Sequence, residues 1–303
     1  MVEKNKKLFC FGYGYSCAHL ASYLLNEGKY AVAGTTRDPE KLQKMRKKGI
    51  KAFIFDIEKP LPDPLYILKD ATHILISTPP SDEGDPAFIA HAADILDISP
   101  GPEWIGYLST TSVYGDRDGA WVDETSKVNP TSKRGSRRTK AESQWMRLYE
   151  KHNLPVHIFR LAGIYGPERS ALDSVRAGTA RRINKPGHAF SRIHVDDIIQ
   201  VLVASMKKPS PGSVYNVCDD LAAPSHEVIS FACELLDIEP PPLVPFEEAD
   251  MAPMARSFYK ESKRVSNQKI KDELGIDLIY PDYLTGLPAC LAEEQYIMTV
   301  NGK

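Results

Sequence analysis

Short apolar runs alternate with amphipathic stretches through the first half of the chain. A short apolar run bounded by turn residues is typical of a buried strand, and apolar residues three and four apart predict a helix. Alternation at this length predicts an α/β chain with a parallel sheet and helices on both faces. The predicted strands are Leu8–Phe11, Ala31–Thr35, Lys51–Phe55, His73–Ser77, Trp104–Ser109 and Val156–Leu161, and the helices between them include Ala18–Asn26, Asp38–Lys48, Phe88–Asp97 and Thr139–His152.

The composition is that of an ordinary globular chain. Its 303 residues carry a net charge of −2, from 38 basic and 40 acidic side chains, so no overall field attracts nucleic acid or anionic membranes. The longest apolar runs are too short for a membrane span, and Leu8–Phe11 is too short for a signal peptide. We therefore expect a cytoplasmic protein with a small-molecule partner and with no nucleic acid, no membrane and no metal; composition leaves open whether it is a monomer or homodimer. We also expect five buried free thiols: Cys10, Cys17, Cys218, Cys233 and Cys290.

A glycine turn follows the first predicted strand and precedes a helix. In Gly12-Tyr13-Gly14-Tyr15-Ser16-Cys17, the first glycine permits a tight turn and the second lets a pyrophosphate approach bare backbone. Free N–H groups and the positive helix end would then bind the phosphates. This context predicts a Rossmann-type doubly wound sheet with Gly12, Gly14, Tyr15, Ser16 and Cys17 at a dinucleotide. Cys17 replaces a third glycine, at the position that sets how closely the helix packs on the strand.

The end of the second predicted strand bears on which dinucleotide binds. An acidic residue there would bond the ribose 2′-hydroxyl and repel a 2′-phosphate. Here Thr35-Thr36-Arg37-Asp38 places hydroxyls and a cation instead, so Thr36 and Arg37 favour NADP over NAD. Alternatively, the segment is only a capping loop, with Asp38 capping the next helix and Arg37 in solvent. NAD therefore stays possible.

Two further strand ends complete the expected cofactor site. Asp56, with Ile57 after it, ends the third strand and is placed to meet the adenine side. Ser77, Thr78 and Pro79 follow the fourth strand and are placed to line the ribose on the nicotinamide side.

The rhythm of strands and helices changes after about Tyr165. A basic, glycine-containing stretch leads to the short run Arg192–Val195, a helix, the strand Val214–Val217 and the helix Ser225–Leu236. We expect residues 1–168, completed by 190–217, to form the dinucleotide-binding domain. Residues 169–189 and 218–303 are expected to form a small α/β substrate-binding cap.

Several segments together resemble the extended short-chain dehydrogenase/reductases, which include nucleotide-sugar epimerases and dehydratases. The likeness spans nearly the whole chain, and the motifs occur in the order found in that family. The segments that carry it are Gly12-Tyr13-Gly14, Leu108–Asp116 (Leu-Ser-Thr-Thr-Ser-Val-Tyr-Gly-Asp), Arg160–Pro167 (Arg-Leu-Ala-Gly-Ile-Tyr-Gly-Pro), Arg192–Ile198, Tyr215-Asn216-Val217 and Lys263–Asn267 with Leu274-Gly275.

The resemblance implies a Ser/Thr, a Tyr and a Lys four residues after the Tyr. The Tyr exchanges a proton with the substrate oxygen while hydride moves to or from nicotinamide, and the Lys lowers the phenol pKa and bonds the ribose. Thr110 matches the first position and Lys140 the third, so Lys140 is also expected at the cofactor. Ser136 stands where the tyrosine would be, one helical turn before Lys140. The chain thus resembles the tyrosine-less, atypical members of that family.

An alkyl hydroxyl is a far weaker acid than a phenol, so Ser136 is a poor replacement for tyrosine. Tyr114 or Tyr165 would be alternative phenols, although rings at strand ends more often serve packing. His194 fits an interior histidine, hydrogen-bonded near Asp196-Asp197, better than a catalytic base.

Basic residues cluster before and within the helix that carries Lys140. Such a run is usually a solvated helix face, and the alternative is a rim that binds a substrate phosphate or carboxylate. The run comprises Lys133, Arg134, Arg137, Arg138 and Lys140, and the cap stretch offers Arg169, Arg181, Arg182 and Lys185.

Two functions follow. The first is an NAD(P)-dependent oxidoreductase or epimerase-like enzyme for a small anionic or nucleotide-linked substrate, with Thr110 and Lys140 retained. The second is a non-catalytic NAD(P)-binding sensor or scaffold, which the missing tyrosine favours. The sequence leaves catalysis itself undecided.

Overall fold

A computed structural model describes residues 6–252, 256 and 258–301. Its main sheet has seven strands in the order β11-β7-β5-β4-β1-β2-β3, and the central pairings are parallel. The strand order reverses at β1, whose two neighbours β2 and β4 are separated in sequence by β3, as in a doubly wound sheet. The strands are β1 Lys6–Phe11, β2 Tyr30–Thr36, β3 Lys51–Ile54, β4 His73–Ile76, β5 Trp104–Thr110, β7 Val156–Leu161 and β11 Val214–Val217.

Helices connect these strands, and two of them begin directly after an aspartate that caps the helix N-terminus. Asp38 and Asp85 each accept hydrogen bonds from two backbone N–H groups of the following helix, and a proline stands at the start of both helices. The helices are α1 Tyr15–Asn26, α2 Pro39–Lys47, α3 Pro64–Leu68, α4 Pro86–Asp97, α5 Lys133–His152 and α7 Val195–Lys207.

The described chain divides into two compact units. The first, here called the sheet unit, contains the residues up to Val113, Lys133–Arg160 and Ile199–Tyr215. Its core packs Phe9, Phe11 and Ile76 of the sheet against the helices, with Trp145 of α5 fully buried.

The second unit contains Tyr114–Ser132, Leu161–Ile198 and the residues from Asn216 onward. It has three small two-stranded sheets, and a separate core in which Leu172, Ala232 and Leu287 are buried. Its elements are β6 Trp121–Val122, β8 Gly163–Tyr165, α6 Ala171–Arg176, β9 Arg182–Asn184, β10 Arg192–His194, α8 Ser225–Leu235, β12 Leu243–Pro245, β13 Arg264–Val265, α9 Gln268–Leu274 and α10 Tyr283–Asn301.

The unit boundaries differ from the expected domain limits at residues 168 and 190. The reason is the partner of β10: Arg192–His194 pairs with Gly163–Tyr165 in a small parallel sheet and does not join the main sheet. Val214–Val217 does join the main sheet, at its edge. Which unit binds substrate stays a prediction.

Three bulk expectations can be compared with the described residues. All five cysteines are free and buried, as predicted. Within the described ranges, no helix is long and apolar enough to cross a membrane, and no cluster of three or more His, Cys, Asp or Glu side chains could hold a metal ion. The expectation that the N-terminus is not a signal peptide falls partly on residues 1–5, which lie outside the described part.

Candidate functional site

A groove of about 650 Å³ opens in the sheet unit where β1, β2, β3 and β4 end. Because the carboxyl ends of parallel strands meet at one edge of the sheet, the loops after these strands are brought together. The residues that line the groove are Gly12, Tyr13, Gly14, Thr35, Thr36, Arg37, Phe55, Asp56, Ser77, Thr78, Pro79 and Pro86.

Gly12 turns the chain at the end of β1. Its φ is +83°, a left-handed conformation that favours glycine, and a Cβ there would lie 3.1 Å from the backbone of Ser77 and of Thr78. Thr35 fixes the turn from the next strand. Its hydroxyl accepts from the Gly12 N–H at 2.9 Å, and its carbonyl accepts from the Tyr13 N–H at 2.7 Å.

Gly14 precedes α1, and the N-terminus of this helix has no side-chain cap. By contrast, Asp38 and Asp85 close the N-termini of α2 and α4. A Cβ on Gly14 would find only the Ser77 hydroxyl, at 3.8 Å, so the space above this residue is open. An uncapped helix start beside an open glycine is the arrangement that binds phosphate, so these residues fit the pyrophosphate of a dinucleotide.

Cys17 lies in the first turn of α1 and is fully buried. Its thiol is hydrogen-bonded to the thiol of Cys10 on β1, so it packs between the helix and the strand. This is the place expected for the third residue of the glycine turn. A side chain larger than cysteine would push the helix away from the strand.

Arg37 stands at the end of β2, and 70% of its side chain is exposed at the groove. Its Nη1 atom lies 3.9 Å from the Asp56 carboxylate at the end of β3. Asp38 caps α2 by accepting from the N–H groups of Glu40 and Lys41. The helix-capping role considered for Asp38 is therefore confirmed. The side chain of Arg37, the residue before it, lines the groove.

The wall after β4 is fixed by a buried carboxylate. Asp85 accepts a hydrogen bond from the Thr78 hydroxyl at 2.8 Å and from two N–H groups of α4, while its own N–H donates to the Gln144 side chain of α5. Burial raises the pKa of Asp85 from its usual value. The Thr78 side of the groove is thus rigidly supported from beneath.

The structure brings most of the predicted cofactor residues together. Those at the groove are Gly12, Gly14, Thr36, Arg37, Asp56, Ser77, Thr78 and Pro79, whereas Tyr15, Ser16, Cys17, Ile57 and Lys140 are not among its lining residues. The sequence reasoning missed Tyr13, Thr35, Phe55 and Pro86. Their positions next to predicted residues at the same strand ends could have indicated them.

The predicted catalytic residues do not converge on this groove. The face of α5 that packs inward comprises Gly135, Ala141, Glu142, Trp145 and Leu148, whereas Ser136 and Lys140 are exposed. The Lys140 ammonium donates to the Asp82 carbonyl at 2.7 Å. Ser136 and Lys140 do share one face of α5, as their i, i+4 spacing predicts, but this is the solvent-exposed face and not the face that packs inward. Thr110 is half-buried at the end of β5 and pairs with Ser112.

The basic run has structural partners that the sequence did not indicate. Arg137 forms a bidentate pair with the Asp82 carboxylate at 2.7 and 3.0 Å, and Lys133 lies 3.1 Å from the same group. The hydrogen bond from Arg137 lowers the pKa of Asp82. Arg137 and Lys133 therefore tie the loop after β4 to α5, so these two side chains are neither a purely solvated face nor free to bind an anion.

A buried charge network lies on the inner face of α5. Arg160 of β7 donates to both carboxylate oxygens of Glu142, and the Ser109 hydroxyl of β5 donates to the same carboxylate. One turn earlier, Arg138 is half-buried and donates from Nη1 to the Leu108 carbonyl at 2.6 Å and to the Tyr107 hydroxyl at 3.1 Å.

In the second unit, the two alternative phenols are interior. The Tyr114 hydroxyl donates to Asn216 at 2.7 Å, and the Tyr165 hydroxyl donates to the Asp282 carbonyl at 3.2 Å. Burial raises the pKa of Tyr165 well above its usual value, so this phenol is a poor proton donor. His194 is buried and hydrogen-bonded to the Asp196 N–H, as expected of an interior histidine.

The second unit also contains an open pocket of about 840 Å³. It is lined by Arg169 and by the buried Arg192, which donates to two carbonyls and to the Ser225 hydroxyl. Of the cap cations expected to bind an anion, only Arg169 is among its lining residues. Arg181, Arg182 and Lys185 donate instead to the carbonyls of Asp250, Pro241 and Tyr259.

Comparison with known proteins agrees with this geometry. A sequence model of the NAD dependent epimerase/dehydratase family matches residues 89–218. The human dTDP-D-glucose 4,6-dehydratase is 25% identical over 183 residues, which cover 57% of this chain and 46% of that enzyme. The chain spans about half the length of the curated relatives it matches.

Solved structures cover nearly the whole chain. A conserved protein of unknown function from Silicibacter pomeroyi is 48% identical with a TM-score of 0.88, over 95% of this chain and 99% of its own. The dTDP-glucose 4,6-dehydratase of Bacillus anthracis, solved in complex with NAD, has a TM-score of 0.76 at 16% identity, over 97% and 98% of the two chains. With its glycine turn, doubly wound sheet and open helix N-terminus, this chain has the fold of these dehydratases, and its residues 89–218 match the NAD dependent epimerase/dehydratase family.

Proposed function

We propose that the sheet unit binds a nicotinamide dinucleotide in the groove and that the chain is an oxidoreductase or epimerase-like enzyme for a small anionic or nucleotide-linked substrate. The open N-terminus of α1 carries this proposal, because it stands beside an unobstructed Gly14 while the neighbouring α2 and α4 are capped by carboxylates. When bound, the dinucleotide would supply hydride transfer. Gly12 and Gly14 would bind the pyrophosphate, and Thr36, Arg37 and Asp56 the adenosine end.

We further propose that NADP is preferred. No carboxylate stands at the end of β2, and the exposed Arg37 guanidinium can reach a 2′-phosphate. Two observations favour NAD instead. Asp56 lies 3.9 Å from Arg37 and offsets part of its charge, and the Bacillus anthracis relative was solved with NAD. Competitive titration distinguishes the two cofactors.

The experiment is fluorescence titration of the chain with NADPH and with NADH. We expect tighter binding of NADPH, and Arg37→Ala should weaken NADPH by roughly tenfold, because an exposed charge-assisted hydrogen bond contributes about 1.5 kcal/mol. NADH should be nearly unaffected by the substitution. Arg46→Ala, an exposed arginine of α2, is the control. Equal affinities for the two dinucleotides would refute the NADP preference.

The catalytic roles of Thr110, Ser136 and Lys140 stay predictions, and the geometry does not favour the last two. Their exposure on α5, together with the missing tyrosine, supports the second candidate, a dinucleotide-binding sensor or scaffold. The two functions differ in one observable. An enzyme converts an added substrate into product, with net oxidation of NADPH or NADH if it is a reductase and with no net change of the dinucleotide if it is an epimerase, whereas a sensor binds the dinucleotide and leaves every substrate unchanged.

A further inference from the structure

The inner face of α5 presents a cation at the carboxyl end of β5, and this cation is Arg138. Lys140 and Ser136 lie on the exposed face, whereas Arg138 lies between the buried Gly135 and Glu142 at helical spacing. Its guanidinium also stacks over the Tyr107 ring, 5.6 Å from the centroid. The side chain is therefore held in place by packing as well as by hydrogen bonds.

Arg138 is not among the residues that line the groove, but the pairing of β4 with β5 places the carbonyl that it binds one strand away from the groove. Ile76 pairs with Tyr107, so the following residues Ser77 and Leu108 continue side by side. Ser77 lines the groove, and the Leu108 carbonyl accepts from Arg138. The guanidinium is thus one strand away from the wall at Ser77, which the sequence predicts to line the ribose on the nicotinamide side.

The hydrogen bonds of Arg138 use only one of its two terminal nitrogens. Within the described residues, its partners are the Leu108 carbonyl and the Tyr107 hydroxyl, and both bind Nη1. The Nε and Nη2 groups form the other edge of the guanidinium, a fork whose two parallel N–H donors match the two oxygens of a carboxylate or phosphate.

The nearby carboxylates are engaged elsewhere. Asp85 accepts from the Thr78 hydroxyl and from two N–H groups of α4, and Glu142 accepts from Arg160 and Ser109. Neither forms an ion pair with Arg138 among the described contacts, although Arg138 lowers the pKa of Asp85 against the raising effect of burial.

We propose that Arg138 binds an oxyanion of the substrate, a carboxylate or a phosphate, at the end of the substrate that faces the reacting dinucleotide. This rests on the proposed function and specifies its substrate class: an acid whose anionic group lies close to the reacting carbon. Arg138 is then a substrate-binding residue that stays positively charged at all physiological pH values, and it takes no part in proton transfer.

The test is calorimetric titration of the dinucleotide-saturated chain with oxalate, with inorganic phosphate and with oxamide, the neutral analogue of oxalate. We expect at least one of the two anions to bind and oxamide not to bind. The anion that binds identifies the oxyanion. Because a guanidinium keeps its charge and oxalate is fully ionised above neutral pH, the affinity for oxalate should be constant between pH 7 and pH 10, where a lysine site would begin to weaken.

Three variants identify the binding group. Arg138→Met should weaken the anion at least tenfold while the dinucleotide affinity changes by no more than a few-fold. Arg138→Lys keeps the positive charge and is the conservative variant if Arg138→Met fails to fold. It should also bind the anion more weakly, because an ammonium lacks the two parallel N–H donors of the guanidinium. Arg147→Met, an exposed arginine of the same helix, is the matched control and should leave both affinities unchanged.

Two results would overturn the proposal: unchanged anion affinity in Arg138→Met, or a chain that binds the dinucleotide but neither anion. The anion titrations are also made without dinucleotide. Failure of the dinucleotide to bind therefore counts against the proposed function, while the anion series still decides the role of Arg138.

Discussion

Gly12 and Gly14 stand two residues apart, and changing each to alanine should affect a different property. The change at Gly12 should lower the stability of the fold, and the change at Gly14 should weaken dinucleotide binding. At Gly12 the backbone φ is +83°, which costs an alanine about 1–2 kcal/mol. The new Cβ would also lie 3.1 Å from the backbone of Ser77 and of Thr78, so either the turn or the loop after β4 must shift. We therefore expect Gly12→Ala to lower the free energy of unfolding by about 2 kcal/mol.

At Gly14 the backbone has φ −86° and ψ −165°, an extended conformation that any residue adopts. The new Cβ would meet only the Ser77 hydroxyl, at 3.8 Å, so the free energy of unfolding should stay within about 0.5 kcal/mol of the wild type. The methyl group would instead occupy the space proposed for the pyrophosphate. Loss of one charge-assisted hydrogen bond there predicts roughly 10- to 100-fold weaker dinucleotide binding.

Urea denaturation measures the first effect and dinucleotide fluorescence titration the second. Gly49→Ala is a control for a positive φ outside the groove, since φ there is +77° and a Cβ would have open space. This variant should be less stable in urea, but it should bind the dinucleotide with unchanged affinity under conditions in which the chain is folded. Normal dinucleotide binding by Gly14→Ala would refute the assignment of this turn to phosphate.

Three further changes test the packing beneath the site. Cys17→Gly should keep dinucleotide affinity within a few-fold, whereas Cys17→Leu should abolish binding by displacing α1 from β1. Glu142→Gln should lower the free energy of unfolding by about 3–5 kcal/mol in urea titration, because it leaves the buried Arg160 without its carboxylate. Burial lowers the pKa of His157 from 6.5 to about 4, so the unfolded chain takes up this proton first and stability should fall as the pH falls from 6.5 to 4. His157→Gln should reduce that dependence.

Each of the three has a contradicting result. Normal binding by Cys17→Leu would mean that the turn is misplaced. Glu150→Gln, an exposed carboxylate of the same helix, is the control for Glu142, and equal losses would deny the burial argument. For His157, the Nε2 atom accepts from the Ser210 N–H, so protonation must break that bond. An unchanged pH dependence in His157→Gln would show that other groups cause it.

The sheet and the dinucleotide groove were largely predictable from the sequence because their signals are local. Each predicted strand of the main sheet is present with its ends shifted by at most two residues, and the glycine turn specifies its own place between β1 and α1. The loops after parallel strands then meet at one edge by topology. This is why Arg37, Asp56 and Thr78 could be assigned without any knowledge of tertiary contacts.

The face of α5 was not predictable in the same way. The basic run has charges at five of the eight positions from Lys133 to Lys140 and no large apolar side chain, so the apolar periodicity that identifies the inner face begins only at Ala141. Ser136 was assigned by its spacing from Lys140, and spacing gives a shared face without saying where that face points. The buried Glu142, paired with Arg160 from a distant strand, is the residue that sets the orientation.

The second unit was the least predictable part. Its three small sheets each join strands far apart in sequence, such as Trp121–Val122 with Arg264–Val265, and strands of two or three residues carry almost no pattern. The long helix Tyr283–Asn301 was also missed, since it shows little amphipathic periodicity and contains Pro288.

Calorimetric titration of the wild-type chain with NADPH tests the central claim most directly. The open N-terminus of α1, the bare Gly14 and the Arg37 guanidinium predict one saturable site per chain. The same titration of Gly14→Ala, with unchanged thermal stability, should show at least tenfold weaker binding. A wild-type chain that binds neither NADPH nor NADH, or a Gly14→Ala chain that binds as well as the wild type, would contradict the account.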